Sequence, residues 1–153
     1  MTPPEARLTE LGIELPDPLS PAASYQMSKR HGDVVYLAGH IPVRPEGPWT
    51  GKVGDDVSLE DGAAAARLVG LHLLSTLRAE LGSLDNVASI LKVNGMVNVA
   101  PGFIDIPQVI NGCSDLLAEV FGDEVGKHTR AAVGMAELPL GVCVEIDLIA
   151  VAR

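Results

Sequence analysis

The chain has 153 residues, of which 47% are apolar and 20% charged, a balance that excludes disorder and suits one globular domain spanning 1–153. The formal net charge of −9 and the absence of any clustered Lys/Arg run argue against nucleic acid as a partner. No apolar run reaches transmembrane length and the N-terminus lacks a signal-type core. Cys113 and Cys143 show no metal-ligand spacing, so a reduced cytoplasmic protein without a metal is expected.

In chain order, Pro4-Glu-Ala-Arg-Leu-Thr-Glu-Leu11 predicts a short helix that Gly12 ends, followed by a Pro-rich linker. Residues 24–39 predict two strands turning at His31-Gly32-Asp33. Residues 42–54 hold three Pro and three Gly and predict an irregular loop. Ser58 opens the clearest helix with a near capping box, Ser58-Leu-Glu-Asp61. Its apolar stripe runs through Leu59, Ala66, Leu73 and Leu77 to a stop at Gly82.

Val87, Ile90, Val93 and Val97 predict a strand with an irregularity at Gly95. Residues 103–121 predict a second long helix, with Pro107 tolerated in its first turn and Gly122 as its stop. The last quarter predicts two strands joined by Leu138-Pro-Leu-Gly141. The order β-β-α-β-α-β-β implies an α+β fold, one sheet with two long helices on one face. Its other face needs a cover, which a closed oligomer supplies.

Two charges stand out. Arg130 lies among Ala131, Ala132 and Gly134, and Glu145 lies fifteen residues on among Val142, Val144 and Ile146. Burying an ion costs several kcal/mol (roughly) unless it is paired or used. A guanidinium here suits gripping a carboxylate, and a carboxylate here suits orienting water. Alternation puts Arg130, Ala132 and Gly134 on one strand face. Two readings of Arg130 stand level: a ligand grip, or an ion pair with Asp or Glu at a subunit contact. For Glu145, taken alone, an outward position on an exposed strand is the plainer reading. The two are not opposite in the hairpin register, so they meet diagonally or across a subunit boundary. Asn111 fits either a ligand contact or a solvated helix position. Neither cysteine has a basic neighbour in sequence to activate it, and His31, His40, His72 and His128 are scattered.

From Tyr25 to Val151 the chain resembles the RidA family, also called YjgF or L-PSP endoribonuclease-like. The motifs that carry the likeness are Leu37-Ala-Gly-His-Ile-Pro42, Gly51-Lys-Val-Gly54, and Arg130 through Leu138-Pro139 to Glu145-Ile146. Pro101-Gly-Phe103, Val109-Ile-Asn-Gly112 and Gly126-Lys-His-Thr-Arg130 resemble a longer, little-characterised subgroup. The resemblance implies a chorismate-mutase-like homotrimer with the sheets around a central barrel and the helices outside. It also implies intersubunit clefts that hydrolyse reactive enamines and imines to 2-keto acids and ammonia, without a cofactor.

By the same resemblance Arg130 and Glu145 are the catalytic pair, one holding the substrate carboxylate and the other orienting water. Arg130, Tyr25, Gly39, Asn111, Ala132 and His40 are the substrate-binding positions. The chain departs from the archetypal pattern in having Ala38 for Ser, Ala132 for Cys and His40 for Gln. Those changes keep open a second reading, non-catalytic binding of small carboxylates or keto acids in the same cleft. Endoribonuclease action ranks below both because the chain is acidic. The loop of residues 42–54 and the altered lining are expected to set the substrate.

Overall fold

The computed structural model describes residues 2–153. Helix α1 (Pro4–Glu10) leads into a hairpin of β1 (Ser28–His31) and β2 (Val34–His40), turned at Gly32-Asp33 as the sequence predicts. After β3 (Val43–Arg44) and β4 (Gly47–Pro48) come α2 (Leu59–Leu81), β5 (Val87–Asn98), α3 (Ile106–Gly126), β6 (Thr129–Met135) and β7 (Val144–Ala152). The five long strands form one mixed sheet in the order β1-β2-β7-β5-β6, with only β5 and β6 parallel. The expected α+β fold is present.

Local chemistry sets the helix ends. The Ser58 hydroxyl accepts the Asp61 backbone N–H at 3.0 Å, Glu60 and Asp61 complement the helix dipole, and Gly82 closes α2 at φ 77°. The second long helix starts at Ile106, three residues later than the sequence suggests, because Phe103 is held in a turn on the Ala100 carbonyl. Its helical dihedrals break at Gly122 as expected, yet one further turn carries it to Gly126.

Both long helices cover one sheet face. On β7, Val144, Ile146, Leu148 and Ala150 point to them and are buried, while Glu145, Asp147, Ile149 and Val151 point the other way. Each fully buried aliphatic side chain contributes about 1.5–3 kcal/mol of transfer free energy. The uncovered face carries Tyr36, Leu91 and Val133, all more than 40% exposed. The expected irregularity at Gly95 is absent. That residue is paired in register on both sides, and the bulges of β5 fall earlier, between Val87 and Ser89 and between Ile90 and Lys92.

The loop of residues 42–54 is more ordered than its composition suggests. The short β3–β4 hairpin turns within it and the Arg44 guanidinium stacks 4.4 Å over Trp49. Lys52 ties it down by donating to Asn98 Oδ1 at 2.8 Å and to the Ala136 carbonyl. Among the described residues no helix is long and apolar enough to cross a membrane.

The two long helices approach closely where side chains are absent. Glycine inside a helix costs about 1 kcal/mol relative to alanine, so Gly112 within α3 needs a packing reason. A Cβ there would overlap the Ala63 carbonyl oxygen of α2, which is backbone and cannot move aside. Gly112→Ala is therefore predicted to destabilise the chain by about 2 kcal/mol or more, despite the better helix former. Urea unfolding measures it, and an unchanged midpoint would refute this packing argument.

Candidate functional site

Strand β2 does not alternate regularly at its end. Leu37 faces Leu148 while His40 faces Ile146, so three steps on β2 match two on β7. This bulge sends both Leu37 and His40 to the helix side and leaves Gly39 on the open side against Glu145. A Cβ on Gly39 would overlap the Glu145 carboxylate, so a larger residue there would push that carboxylate aside. Glu145 makes no ion pair among the described residues. Burial raises its pKa above the ordinary carboxylate value, and the neighbouring Asp147 charge adds to the rise.

Around Glu145 lies a cavity of about 370 Å³, lined mainly by apolar groups including Tyr25, Met27, Ile41 and Leu140. The Tyr25 hydroxyl accepts the Ala22 N–H at 3.3 Å, which folds the segment before β1 over the cavity. Leu140 holds a left-handed backbone (φ 58°) and is 73% exposed at the rim.

Arg130 occupies a different place. It lies on β6, at the sheet edge, and its side chain turns toward α3 with Ala132 and Gly134 on the same face. Its Nη1 donates to Asn111 Oδ1 at 2.8 Å and to Ser114 Oγ at 3.2 Å. Those two residues are one helical turn apart on α3. Ser114 Oγ also lies 3.0 Å from His128 Nε2, and His128 Nδ1 lies 2.7 Å from the Gly126 carbonyl. Burial lowers the pKa of His128; the bond to Gly126 opposes this and the Arg130 charge adds to it. A shallow cavity of about 300 Å³ opens here beside Lys127 and Asp115. No carboxylate among the described residues pairs with Arg130.

The two charges do not meet within one chain. Arg130 is in register with Val93 and Glu145 with Met96, so β5 separates them. Their side chains leave the sheet on opposite faces. The expected hairpin between β6 and β7 is therefore replaced by two strands with β5 between them. One cluster gathers Tyr25, Gly39 and Glu145; another gathers Arg130 and Asn111, with Ala132 packed alongside against the core.

His40 joins neither half. It is fully buried on the helix side, with Nε2 2.8 Å from Thr76 Oγ1 and Nδ1 2.6 Å from the Ala38 carbonyl. Its place is the core rather than the substrate position that the resemblance implies, and the bulge at Gly39 is the reason. Sequence reasoning also passed over Ser114 and His128. The available signals were Ser114 three residues after Asn111 on α3, and His128 two residues before Arg130. Both thiols are buried, Cys113 pushed up to about 12 and Cys143 to about 11, which suits packing and not nucleophilic chemistry. No cluster of three or more metal-ligating side chains occurs among the described residues.

The family model described as "YjgF/chorismate mutase-like, putative endoribonuclease" matches residues 5–151. Protein TCP17 of Trypanosoma cruzi is 42% identical over 143 residues, 93% of this chain and 89% of that protein. The crystal structure of Atu1372, a protein of unknown function from Agrobacterium tumefaciens, superposes with a TM-score of 0.88 at 38% identity, covering 99% of this chain and 94% of that one. A "putative endoribonuclease" from Shewanella oneidensis superposes with a TM-score of 0.93 at 30% identity, covering 98% and 99%.

The buried His40 makes a pH prediction. Desolvation lowers its pKa from the ordinary 6.5 to about 4, so the folded chain keeps it neutral where the unfolded chain protonates it. Stability from this group is full above 6.5 and is lost as pH falls from there toward 4, by about 3 kcal/mol in all. His40→Gln keeps a polar group and does not titrate. Urea midpoints at about pH 7 and about pH 4.5 should therefore differ less in the variant than in the wild type. Equal differences would mean His40 is not the group that titrates.

Proposed function

The chain belongs to the YjgF/chorismate-mutase-like family, the RidA/YjgF group, and from that premise we propose that it hydrolyses reactive enamines and imines of small carboxylic acids to 2-keto acids and ammonia. One observation carries the reading: a guanidinium held only by neutral groups and an unpaired, partly desolvated carboxylate face opposite sides of one sheet. Neither is neutralised inside its own chain. A contact that sets the Arg130 surface of one copy against the Glu145 surface of the next makes a cleft with both. Because the two surfaces differ, such contacts run head to tail and can close into a ring. A homotrimer is the ring proposed, and it would cover the apolar face around Tyr36, Leu91 and Val133.

In that cleft Arg130 grips the substrate carboxylate with the guanidinium edge not bound to α3. An enamine first tautomerises to the imine, whose carbon is already electrophilic, so no cofactor is needed. Glu145 accepts a proton from water as the water oxygen bonds to that carbon. Glu145 hands that proton to the nitrogen to give the amino alcohol. The hydroxyl proton then passes by way of Glu145 to the nitrogen as the C–N bond breaks, so that the carbonyl forms and ammonia leaves. Imine and water are consumed; keto acid and ammonia are formed. A pKa above the ordinary carboxylate value suits a group that takes and gives a proton in turn. Two buried free thiols fit a reducing location such as the cytoplasm.

A second reading, non-catalytic binding of small carboxylates or keto acids, is favoured by Ala38 and Ala132, which leave no hydroxyl or thiol at those two places. Ribonuclease action is disfavoured by the net charge of −9.

The test follows keto-acid formation from 2-aminoacrylate released by a dehydratase. Wild-type protein should exceed the buffer rate, and Arg130→Ala and Glu145→Gln should each lose roughly 100-fold or more. The rate should fall on acidification, through a pKa above the usual Glu range. Chains of the two variants, refolded together in equal amounts, should regain about a quarter of the wild-type sites, since each supplies the half the other lacks. No acceleration by wild type overturns the hydrolase; saturable 2-oxobutanoate binding without turnover would support the second reading.

A further inference from the structure

The Ser114–His128 pair lies behind Arg130, and its proton arrangement has one solution. The Gly126 carbonyl only accepts, so His128 Nδ1 must carry the hydrogen in their 2.7 Å bond. The neutral ring then has a bare lone pair on Nε2, so the Ser114 hydroxyl donates to it across 3.0 Å. With its hydrogen committed, Ser114 Oγ can only accept from Arg130 Nη1, at 3.2 Å. Asn111 Oδ1 accepts from the same nitrogen at 2.8 Å. A relay thus runs from the turn after α3, through an imidazole and a hydroxyl, to one guanidinium nitrogen. Arg130 Nε and Nη2 have no hydrogen-bond partner among the described residues.

We propose that His128 and Ser114 are positioning residues for Arg130: together they lock one nitrogen of the guanidinium against α3 and present its other donors to an incoming carboxylate. The inference rests on Arg130 being the carboxylate anchor. The relay consists of neutral groups, so it orients the guanidinium without cancelling its charge, as an Asp or Glu in the same place would. An unrestrained Arg side chain would lose rotamer entropy on gripping a ligand, and the relay removes part of that loss beforehand. Lowering of the imidazole pKa by burial and by the nearby guanidinium keeps His128 in the neutral form that the relay needs.

The experiment titrates the intact protein with 2-oxobutanoate by calorimetry. Ser114→Ala, which removes the hydroxyl, and His128→Leu, which removes the acceptor, should each weaken binding about 10-fold while the melting temperature holds within a few degrees. Ser114→Thr restores a hydroxyl, and His128→Gln places a non-titrating carbonyl oxygen where Nε2 stood. Both should bind within about 2-fold of wild type. A merely structural cross-tie would not show this rescue in affinity. Wild-type affinity in Ser114→Ala and His128→Leu, or no rescue by Thr and Gln, overturns the proposal while loss of binding in Arg130→Ala keeps the anchor. Unchanged binding in Arg130→Ala, or no binding by wild type, overturns the anchor and the inference with it.

Discussion

Strand β5 lies between β6 and β7 and is hydrogen-bonded to both, parallel to the first and antiparallel to the second. Helix α3 is the crossover that a parallel β5–β6 pair requires. The chain must then pass the end of β5 through Pro139–Gly141 before β7 can pair on its far side. Arg130 and Glu145, close in sequence, are thereby held apart by a full strand. Pleating finishes the separation: Arg130 shares the helix side with Ala132 and Gly134, while Glu145 shares the open side with Asp147. The covered core, the open face and the separation of the two charged clusters all follow from that sheet order.

The parts of the fold set by local chemistry were legible. Ser58 and Gly82 bound α2 because a hydroxyl cap and a left-handed glycine act within a few residues. The turn at Gly32-Asp33 is similarly local. Insertion of β5 was not legible, because Leu138-Pro-Leu-Gly141 reads locally as a hairpin turn and nothing nearby reports a strand from forty residues earlier. Of the site, Arg130 could be singled out as a charge among small residues, and alternation gave its face correctly. The resemblance put His40 at the substrate, and the sequence does not show the bulge that turns its side chain to the helix side. Ser114 drew no attention and His128 counted only as one of four scattered histidines, because a Ser on a helix and a His before a strand acquire meaning only when α3 packs across β6.

Electrostatic partnering separates Arg130 from most other cations of the chain. Arg67 pairs with Glu119, Arg78 with Glu5, Lys52 with Glu137 and Lys127 with Asp123, all at partly exposed positions where such pairs contribute about 0–1 kcal/mol. Arg130 is instead held by an amide and a hydroxyl, which fix geometry and leave its field intact. Glu145 likewise makes no ion pair among the described residues, and it borders a cavity lined mainly by apolar groups.

Trp49 is the single indole of the chain, and it sits in the loop that Lys52 fastens beneath the segment after β6. Its carbonyl accepts the Cys143 N–H, and the next residue, Thr50, bridges Val142. That places it close to the Pro139–Leu140 rim of the Glu145 cavity, with the Arg44 cation over its ring. Excited at wavelengths that Tyr25 and Tyr36 do not absorb, this protein therefore emits from one chromophore in one environment. Any occupant or neighbouring copy that shifts the loop would alter its colour or quenching without an attached dye. The shortage of aromatic residues that marks the composition thus gives the molecule an optical reporter with no background signal from a second tryptophan.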